Sequence, residues 1–453
     1  MTMSERSDAG KLAAIKSWVI RNREALERGA FAAGILFVVF MAGLTMGFLK
    51  IGPSFIVRDT LDVARELARD GKAYFASKPT KHIAPLRYDE TGIVVADSSR
   101  MQPGVTFITG LFGNTLGVRL YAEDGALLHE WPINFFDVAR EEMGYPFDTL
   151  IHGSALMPNG DIIVNLDGRG VMRVSACGEI LWRSRDRSHH AVDLASDGTI
   201  WTPIYRPRYR EERLLPGTTF NYDAIGAFDP DSGEMLREVD IVDAVIASGR
   251  QGLVLSNDVH PGDVMHLNDV EVLRPDMADA FPLFEAGDLL LSSRHFNQIW
   301  VLDGKTGALK WWHVGSTIGQ HDPDFQPDGT ITVFDNRTLG RPAPENGWLG
   351  TGGGSRIVSI DPVTHEDRVL YQSTPDNPFY TAFRGKHQVQ PNGNILITET
   401  DAGRVFEVTP EGEIVWSLVN AYDEDEIGWL MGALRYPADH LAPGSLSCDA
   451  EAS

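Results

Sequence analysis

The sequence predicts an all-β fold, a six-bladed β-propeller, preceded by one N-terminal transmembrane helix and a short helical linker. Three observations carry this prediction. Six times a turn leads into an apolar or aromatic strand, as in YAEDGALLHEW from Tyr121 and VTPEGEIVW from Val408. Four of the strand signals ahead of such hairpins open on a histidine at nearly the same distance before a turn glycine. Ahead of them all, the 21 residues from Gly29 to Leu49 carry no charge.

The N-terminal segment, 1–28, holds Arg6, Lys11, Lys16, Arg21, Arg23 and Arg28 against four acids. The uncharged stretch 29–49 is long enough to cross a bilayer core as one helix. The positive flank keeps the N-terminus in the cytoplasm, so the expected location is the inner (cytoplasmic) membrane, single-pass, with the propeller on the periplasmic, extracytoplasmic side. A cleaved signal peptide competes with this reading. The stretch is longer than a usual signal-peptide core, and no small-x-small cleavage site follows it. Residues 50–90 read as a helical linker, helix-forming from Phe55 to Gly71, with nearly balanced charge and no lipid-binding character.

Short strands recurring at a spacing of tens of residues mark a propeller, whose blades bury their faces only against neighbouring blades. The catalytic propeller is expected over 91–425, its first blade running from Thr91 to Pro132, with insertions after Trp201, Val272 and Asn336. Trp182, Trp311 and Trp416 recur at the hairpin strand and read as core. Residues 426–453 read as a C-terminal tail that either closes against the first blade or frays. The two cysteines, Cys177 in a blade turn and Cys448 in the tail, are expected not to form a structural disulfide.

A formal net charge of −23 argues against a nucleic-acid surface, which needs Lys and Arg patches. An anionic substrate would need local cations to overcome this field. The repeated histidines are His152, His189 or His190, His321 and His387. His152, His190 and His321 each precede their turn glycine by eight residues and His387 by six. Even differences keep one strand face, so these histidines are expected to converge on the central axis. A one-residue slip would exchange His189 for His190.

Two further blocks bear on chemistry. In MHLNDVEVL from Met265, His266 and Asn268 alternate onto one face, and Arg294 closes the next strand. Two neutral donors and a fixed cation suit a tetrahedral oxyanion such as a sulfuryl group, although Asn268 could cap a loop and Arg294 could pair with an acid. In GQHDPDFQPDGTITVFDN, His321 precedes Asp322 and Asp324, either of which could orient its ring and leave one nitrogen free as a nucleophile.

The runs HHAVD at His189, HLND at His266, SSRHFNQIWVLD ending at Asp303, QHDPDFQPDGTITVFDN, and QPNGNILI at Gln390 occur in this order over roughly residues 90–420. Together they resemble the bacterial arylsulfate sulfotransferases. The resemblance implies a six-bladed propeller that moves a sulfuryl group from an aryl sulfate to a phenol through a sulfated histidine, without phosphoadenosine phosphosulfate. By motif it makes His321 the nucleophile. His266, Arg294 and His190 (or His189) then act as the other catalytic groups, and Asn268 binds substrate. No cofactor and no metal is called for, and the partners are a small aryl sulfate donor, a phenolic acceptor and the membrane, but no nucleic acid. Two departures bear on substrate identity: Arg337 follows FDN and adds a cation at the funnel mouth, and His387 is an extra group. The N-terminal β-sandwich and the disulfide of better-known members are expected to be absent.

Two other readings remain open from the residues. One is a metal-dependent propeller hydrolase using Asp193, Asp269 and Asp322. The other is a non-catalytic membrane-anchored scaffold. GTGGGS from Gly350 precedes no helix and reads as a loop over the funnel. Trp201, Tyr205, Tyr209, Phe220 and Tyr222 are candidates to line an aryl pocket.

Overall fold

Glycine closes five of the six outer hairpins. Gly125, Gly178, Gly233, Gly307 and Gly412 stand at φ between 70° and 86°, a left-handed conformation that costs other residues about 1–2 kcal/mol. In the sixth, His365 takes this place at φ 61° and stacks between Trp311 and His313, 5.4 and 5.6 Å from their ring centres. The chain, a computed structural model, describes residues 22–48, 81–133, 149–209, 219–255, 263–338, 349–350 and 352–448, with Trp18, Ile20, Gly71 and Pro79 singly.

Residues 1–77 and 78–453 form two separate compact units. In the first, helix α1 (Arg23–Phe48) is long and apolar enough over Arg23–Met46 to cross a membrane. The helix starts six residues earlier than the uncharged stretch, with Arg23 bonded to Glu27 at 2.7 Å one turn on. The basic flank before residue 18 and the linker helix from Phe55 lie outside the described residues.

The second unit is the propeller. Strands are numbered in chain order. The first sheet orders β27 (Leu430–Tyr436), β3 (Val105–Phe112), β4 (Thr115–Tyr121) and β5 (Leu127–Pro132) from axis to rim. The second is β6 (Ile151–Leu156), β7 (Ile162–Leu166), β8 (Gly170–Val174) and β9 (Ile180–Arg183). The third is β10 (Asp193–Leu194), β11 (Ile200–Tyr209), β12 (Thr219–Phe228) and β13 (Met235–Asp240). The fourth is β14 (Leu267–Val272), β15 (Leu289–Ser293), β16 (Gln298–Leu302) and β17 (Leu309–Val314), and the fifth is β18 (His321–Phe325), β19 (Ile331–Asp335), β20 (Arg356–Ile360) and β21 (Asp367–Gln372). The sixth holds five strands: β22 (Lys386–Val389), β23 (Ile395–Glu399), β24 (Arg404–Val408), β25 (Ile414–Val419) and β2 (Gly92–Ala96). Each of six hydrophobic clusters lies between two neighbouring sheets, such as Phe334 and Ile357 against Ile397 and Phe406. This is how blades without a common core are held.

Ring closure departs from the expected boundaries. Gly92–Ala96 is the rim of the last blade, not the start of the first. The inner strand of the first blade is β27, from the segment read as a tail. The end of the expected linker forms β1 (Ile83–Pro85), paired with β26 (Glu426–Gly428). The insertion after Trp201 lengthens β11 and β12 to ten residues each. Trp311 and Trp416 are core, whereas Trp182 is half-buried and donates to the Pro230 carbonyl at 2.9 Å.

The expectation about the cysteines is also corrected. Cys177 and Cys448 form a disulfide across 271 positions, with Cα atoms 5.4 Å apart. The intervening segment is docked: His440 bonds to the Leu156 carbonyl at 3.0 Å, and Ala442 donates to the Pro158 carbonyl at 2.8 Å. Closing a loop of this length is worth about 2–5 kcal/mol.

Candidate active site

Histidines reach the axis through local departures from strand geometry. His190 before β10, His266 before β14 and Asp322 in β18 stand at φ 56°, 51° and 55°, and the register slips at the start of β14 and β18. Bulged, left-handed residues re-aim the side chains beside them. His190 lines a small axial chamber with His152, Asn268, His321 and Arg384. His189 is buried behind it. His266 stands edge-on to His190, with ring centres 4.8 Å apart.

His321 is locked in a closed ring of hydrogen bonds. Its Nδ1 faces Asn336 Oδ1 at 2.7 Å, and the Asn336 amide nitrogen donates to the Arg384 carbonyl at 2.6 Å. The Arg384 backbone N–H returns to His321 Nε2 at 3.1 Å. Because the Asn336 amide group donates elsewhere, its oxygen must accept, so the proton sits on His321 Nδ1 and Nε2 carries the lone pair. Burial, then the charge of Arg294, holds His321 well below the usual histidine range, and it is neutral. The residue that orients the ring is therefore Asn336. Asp322 instead accepts from Lys386 Nζ and from the His387 backbone, each at 2.5 Å.

Two arginines give the chamber its sign. The Nε atoms of Arg294 and Arg384 are buried without hydrogen-bond partners, and neither guanidinium has a carboxylate at ion-pair distance among the described residues. Each packs on an aromatic face, Arg294 over Phe383 at 4.6 Å and Arg384 over Trp429 at 4.5 Å. Such packing steadies a cation without neutralising it. Asn268 donates to the Gln320 carbonyl at 2.7 Å, while its oxygen has no partner among the described residues. Asp263 Oδ2 meets His266 Nδ1 at 2.5 Å, and His295 stacks on His266 at 4.6 Å.

The arylsulfotransferase (ASST) family profile matches residues 153–421, more than half of the chain. The chain belongs to the arylsulfotransferase family. An arylsulfotransferase-like activity on small molecules goes with that membership. No curated protein matches the chain. Similar solved structures include a protein of unknown function from Bacteroides caccae, 12% identical, covering 73% of this chain and 98% of its own, with TM-score 0.46. Hydrazine synthase from Kuenenia stuttgartiensis is 14% identical over 72% and 79%, with TM-score 0.42. TolB from Acinetobacter baumannii is 12% identical over 73% and 66%, with TM-score 0.41. These likenesses are too low to bear on function.

In this arylsulfotransferase-family chain, two of the expected site residues lie elsewhere. His387 bonds Asp322 at 3.1 Å and Thr332 at 2.8 Å and lines an adjoining cavity of about 280 Å³, which shares His152, Asp322 and Lys386 with the chamber wall. Arg337 does not line the chamber; its backbone donates to Asp335 at 3.2 Å. Of the aromatic residues suggested for an aryl pocket, Tyr205 stacks on His189 at 3.8 Å. The side chains of Tyr209 and Phe220 lie outside the described residues.

Asn336, Asp263 and Arg384 complete the site but were not singled out for it, and His152 joins it as one of the repeated histidines expected on the axis. Asn336 ends the FDN run and Asp263 sits three residues before His266, so both were within reach of a motif. Arg384 had no such pointer. Among the described residues, three sets of side chains bring ligand-type atoms within 4.8 Å: His152, Asp167 and His190; Asp263, His266 and His295; and Asp322, Asp324 and His387. Each adjoins Arg294, Arg384 or Lys386, whose charges disfavour a cation, and we read them as hydrogen-bonded groups.

Acid should unfold this site first. Burial pushes His152 down to about 4 and holds His190 and His321 well below the usual range. Groups depressed in the fold leave stability intact above the unfolded value near 6.5 and remove it as pH falls towards the folded value. For His152 alone the loss by pH 4 is on the order of 3 kcal/mol. Thermal melts of parent and His152→Gln between pH 8 and 4 should converge as pH falls, and parallel curves would contradict this.

Proposed function

We propose that the protein transfers a sulfuryl group from an aryl sulfate ester to a phenolic acceptor, independently of phosphoadenosine phosphosulfate, through a sulfated His321. The observation that carries this reading is the neutral His321 in the chamber wall, its Nε2 lone pair covered only by the Arg384 N–H, with Arg384 beside it and the charge of Arg294 acting on it, neither arginine having a carboxylate at ion-pair distance among the described residues. Nε2 attacks sulfur, the N–S bond forms, and the S–O pair leaves on the aryl oxygen. The Arg384 N–H, released from Nε2, becomes a donor to a sulfuryl oxygen. Arg294, Arg384 and His266 stabilise the charge spread over those oxygens. The acceptor phenol then takes the group in the reverse sense. Exposing the detergent-solubilised full chain to 4-nitrophenyl sulfate should add one SO₃ unit, read by intact mass. The absence of any adduct together with no phenol release would defeat the proposal.

We further propose that α1 is a single-pass anchor in the inner membrane and that the propeller lies on the extracytoplasmic side. The basic flank supports this orientation. So does the disulfide, because such bonds persist in oxidising compartments. Trapping thiols in intact cells before lysis should leave Cys177 and Cys448 unlabelled until a reductant is added. Direct labelling would place the propeller in the cytoplasm.

A further inference from the structure

We propose that Asp223, His189 and His190 form a proton relay in which His189 stores the proton that His190 hands to the departing aryl oxygen. The proposal rests on the sulfuryl-transfer reading above. Its geometry begins in the long third blade, where Tyr205 on β11 stands directly opposite Asp223 on β12. Between them lies His189, its ring stacked on Tyr205 at 3.8 Å with planes 16° apart. His189 Nε2 is 3.2 Å from Asp223 Oδ1, and His189 Nδ1 is 2.8 Å from His190 Nδ1.

Protons in this chain can be placed by elimination. Asp223 is 1% exposed, and its other oxygen accepts the Leu267 N–H at 2.6 Å. Among the described residues it has no lysine or arginine partner. A carboxylate buried this deeply is strongly disfavoured unless a cation pairs with it, and His189 is the group in reach. His189 therefore carries both ring protons, its Nε2–H facing Asp223 Oδ1 as an ion pair at 3.2 Å without an aligned hydrogen bond, and its Nδ1–H donated to His190. Two facing nitrogens share only one proton, so His190 Nδ1 accepts and its Nε2 bears the hydrogen. This tautomer is the opposite of that in His321: one Nε2 attacks and the other donates.

A relay also resolves a difficulty with His190. The ring is buried, stacked on His152 at 4.0 Å, and faced by His266 and His321. Burial, and then the charges of those neighbours, holds it neutral, and a neutral imidazole cannot give up its last N–H alone. With His189 behind it, the proton leaving His190 Nε2 for the aryl oxygen is replaced at Nδ1 by the proton from His189 Nδ1. His189 ends neutral with Nε2–H still facing Asp223, and His190 ends neutral with its hydrogen on Nδ1. The S–O electron pair leaves on the aryl oxygen and becomes a phenol. When the acceptor phenol reacts, its proton travels the same path backwards. Asp167 and Asp263 also feel the charge on His189, and Arg187 lies over Tyr205 at 5.4 Å. These groups belong to the same electrostatic balance.

His189 and Asp223 are positioning residues, so the test must separate proton delivery from structure. Two donors differ in their need for a proton: 4-nitrophenolate leaves unaided at neutral pH, and unsubstituted phenolate does not. In detergent-solubilised full chain, Asp223→Asn and His189→Gln should slow sulfation of the enzyme by phenyl sulfate about 10²-fold. Sulfation by 4-nitrophenyl sulfate should change by less than about tenfold, with the melting temperature recorded for each variant. Equal losses with both donors would overturn the relay. A second readout needs no turnover. In ¹⁵N-histidine NMR of the parent at pH 7, His189 should show two protonated ring nitrogens and His190 protonation at Nε2. A neutral His189 would overturn the relay even if transfer is confirmed. A parent that accepts no sulfuryl group from either donor would instead defeat the transfer reading, and the relay with it.

Discussion

His321→Ala should eliminate the sulfated enzyme and lower transfer by roughly 10⁴-fold or more, the scale on which enzymes lose activity when a covalent nucleophile is removed. The prediction is sharp because the ring is held at both ends. Asn336 fixes the proton on Nδ1 and the Arg384 amide marks Nε2, so no alternative tautomer or rotation is available to a neighbour that might substitute. Of the neighbouring histidines, His190 accepts at Nδ1 and carries its hydrogen on Nε2, so it has no lone pair to offer. His266 meets Asp263 through Nδ1 at 2.5 Å and is the residue to which a surviving adduct would be mapped first. Intact mass after exposure to 4-nitrophenyl sulfate reads the result directly. A variant that still gains an SO₃ unit would move the nucleophile to another residue. Asn336→Ala offers a graded control, expected to keep Nε2 but free the tautomer and so reduce the adduct rate without abolishing it.

Arg384→Gln should lower kcat by about 10²–10³-fold, as for loss of one donor to developing oxyanion charge. Two properties make this arginine more than a packing residue. Its guanidinium is held on Trp429 at 4.5 Å with no carboxylate at ion-pair distance among the described residues, and its own backbone reaches His321. Substitution should spare the backbone contact and remove the charge. Arg384→Lys should recover only part of the activity, because a lysine keeps the charge but loses the planar stacking and the forked donors. Steady-state kinetics of the two variants, with melts to verify folding, would decide the matter. Equal activity of Gln and parent would remove Arg384 from the chemistry and leave Arg294 as the cation.

How far the sequence foretold the molecule depends on how local each feature is. Blades were legible because each hairpin is written in consecutive residues, down to the glycine at its tip. Closure was not, since Leu430–Tyr436 and Val105–Phe112 lie more than 300 positions apart, and nothing in either strand names its mate. The Cys177–Cys448 bridge was missed for the same reason. In the site, His190, Asn268 and His321 were found because they sit in runs with a shared order. Arg384 was missed because a single arginine before a strand has no pattern. The offset argument gathered His152, His190 and His321, which each stand eight residues before their glycine and all line the chamber. It also admitted His387, which stands only six residues before its glycine on the regular strand β22 and lines the adjoining cavity.

The last sheet strand to be synthesised, β27, is also the one nearest the axis in the first blade. Until Leu430–Tyr436 leaves the ribosome, the ring of sheets has a gap beside the residues that line its centre, and Met431 is missing from the chamber wall. A growing chain can therefore assemble blades one after another, yet cannot enclose a water-poor chamber around His321 before nearly the whole polypeptide exists. Competence would arrive in one late step, and a chain cut short before Leu430 would carry every side chain proposed for catalysis but no enclosed site.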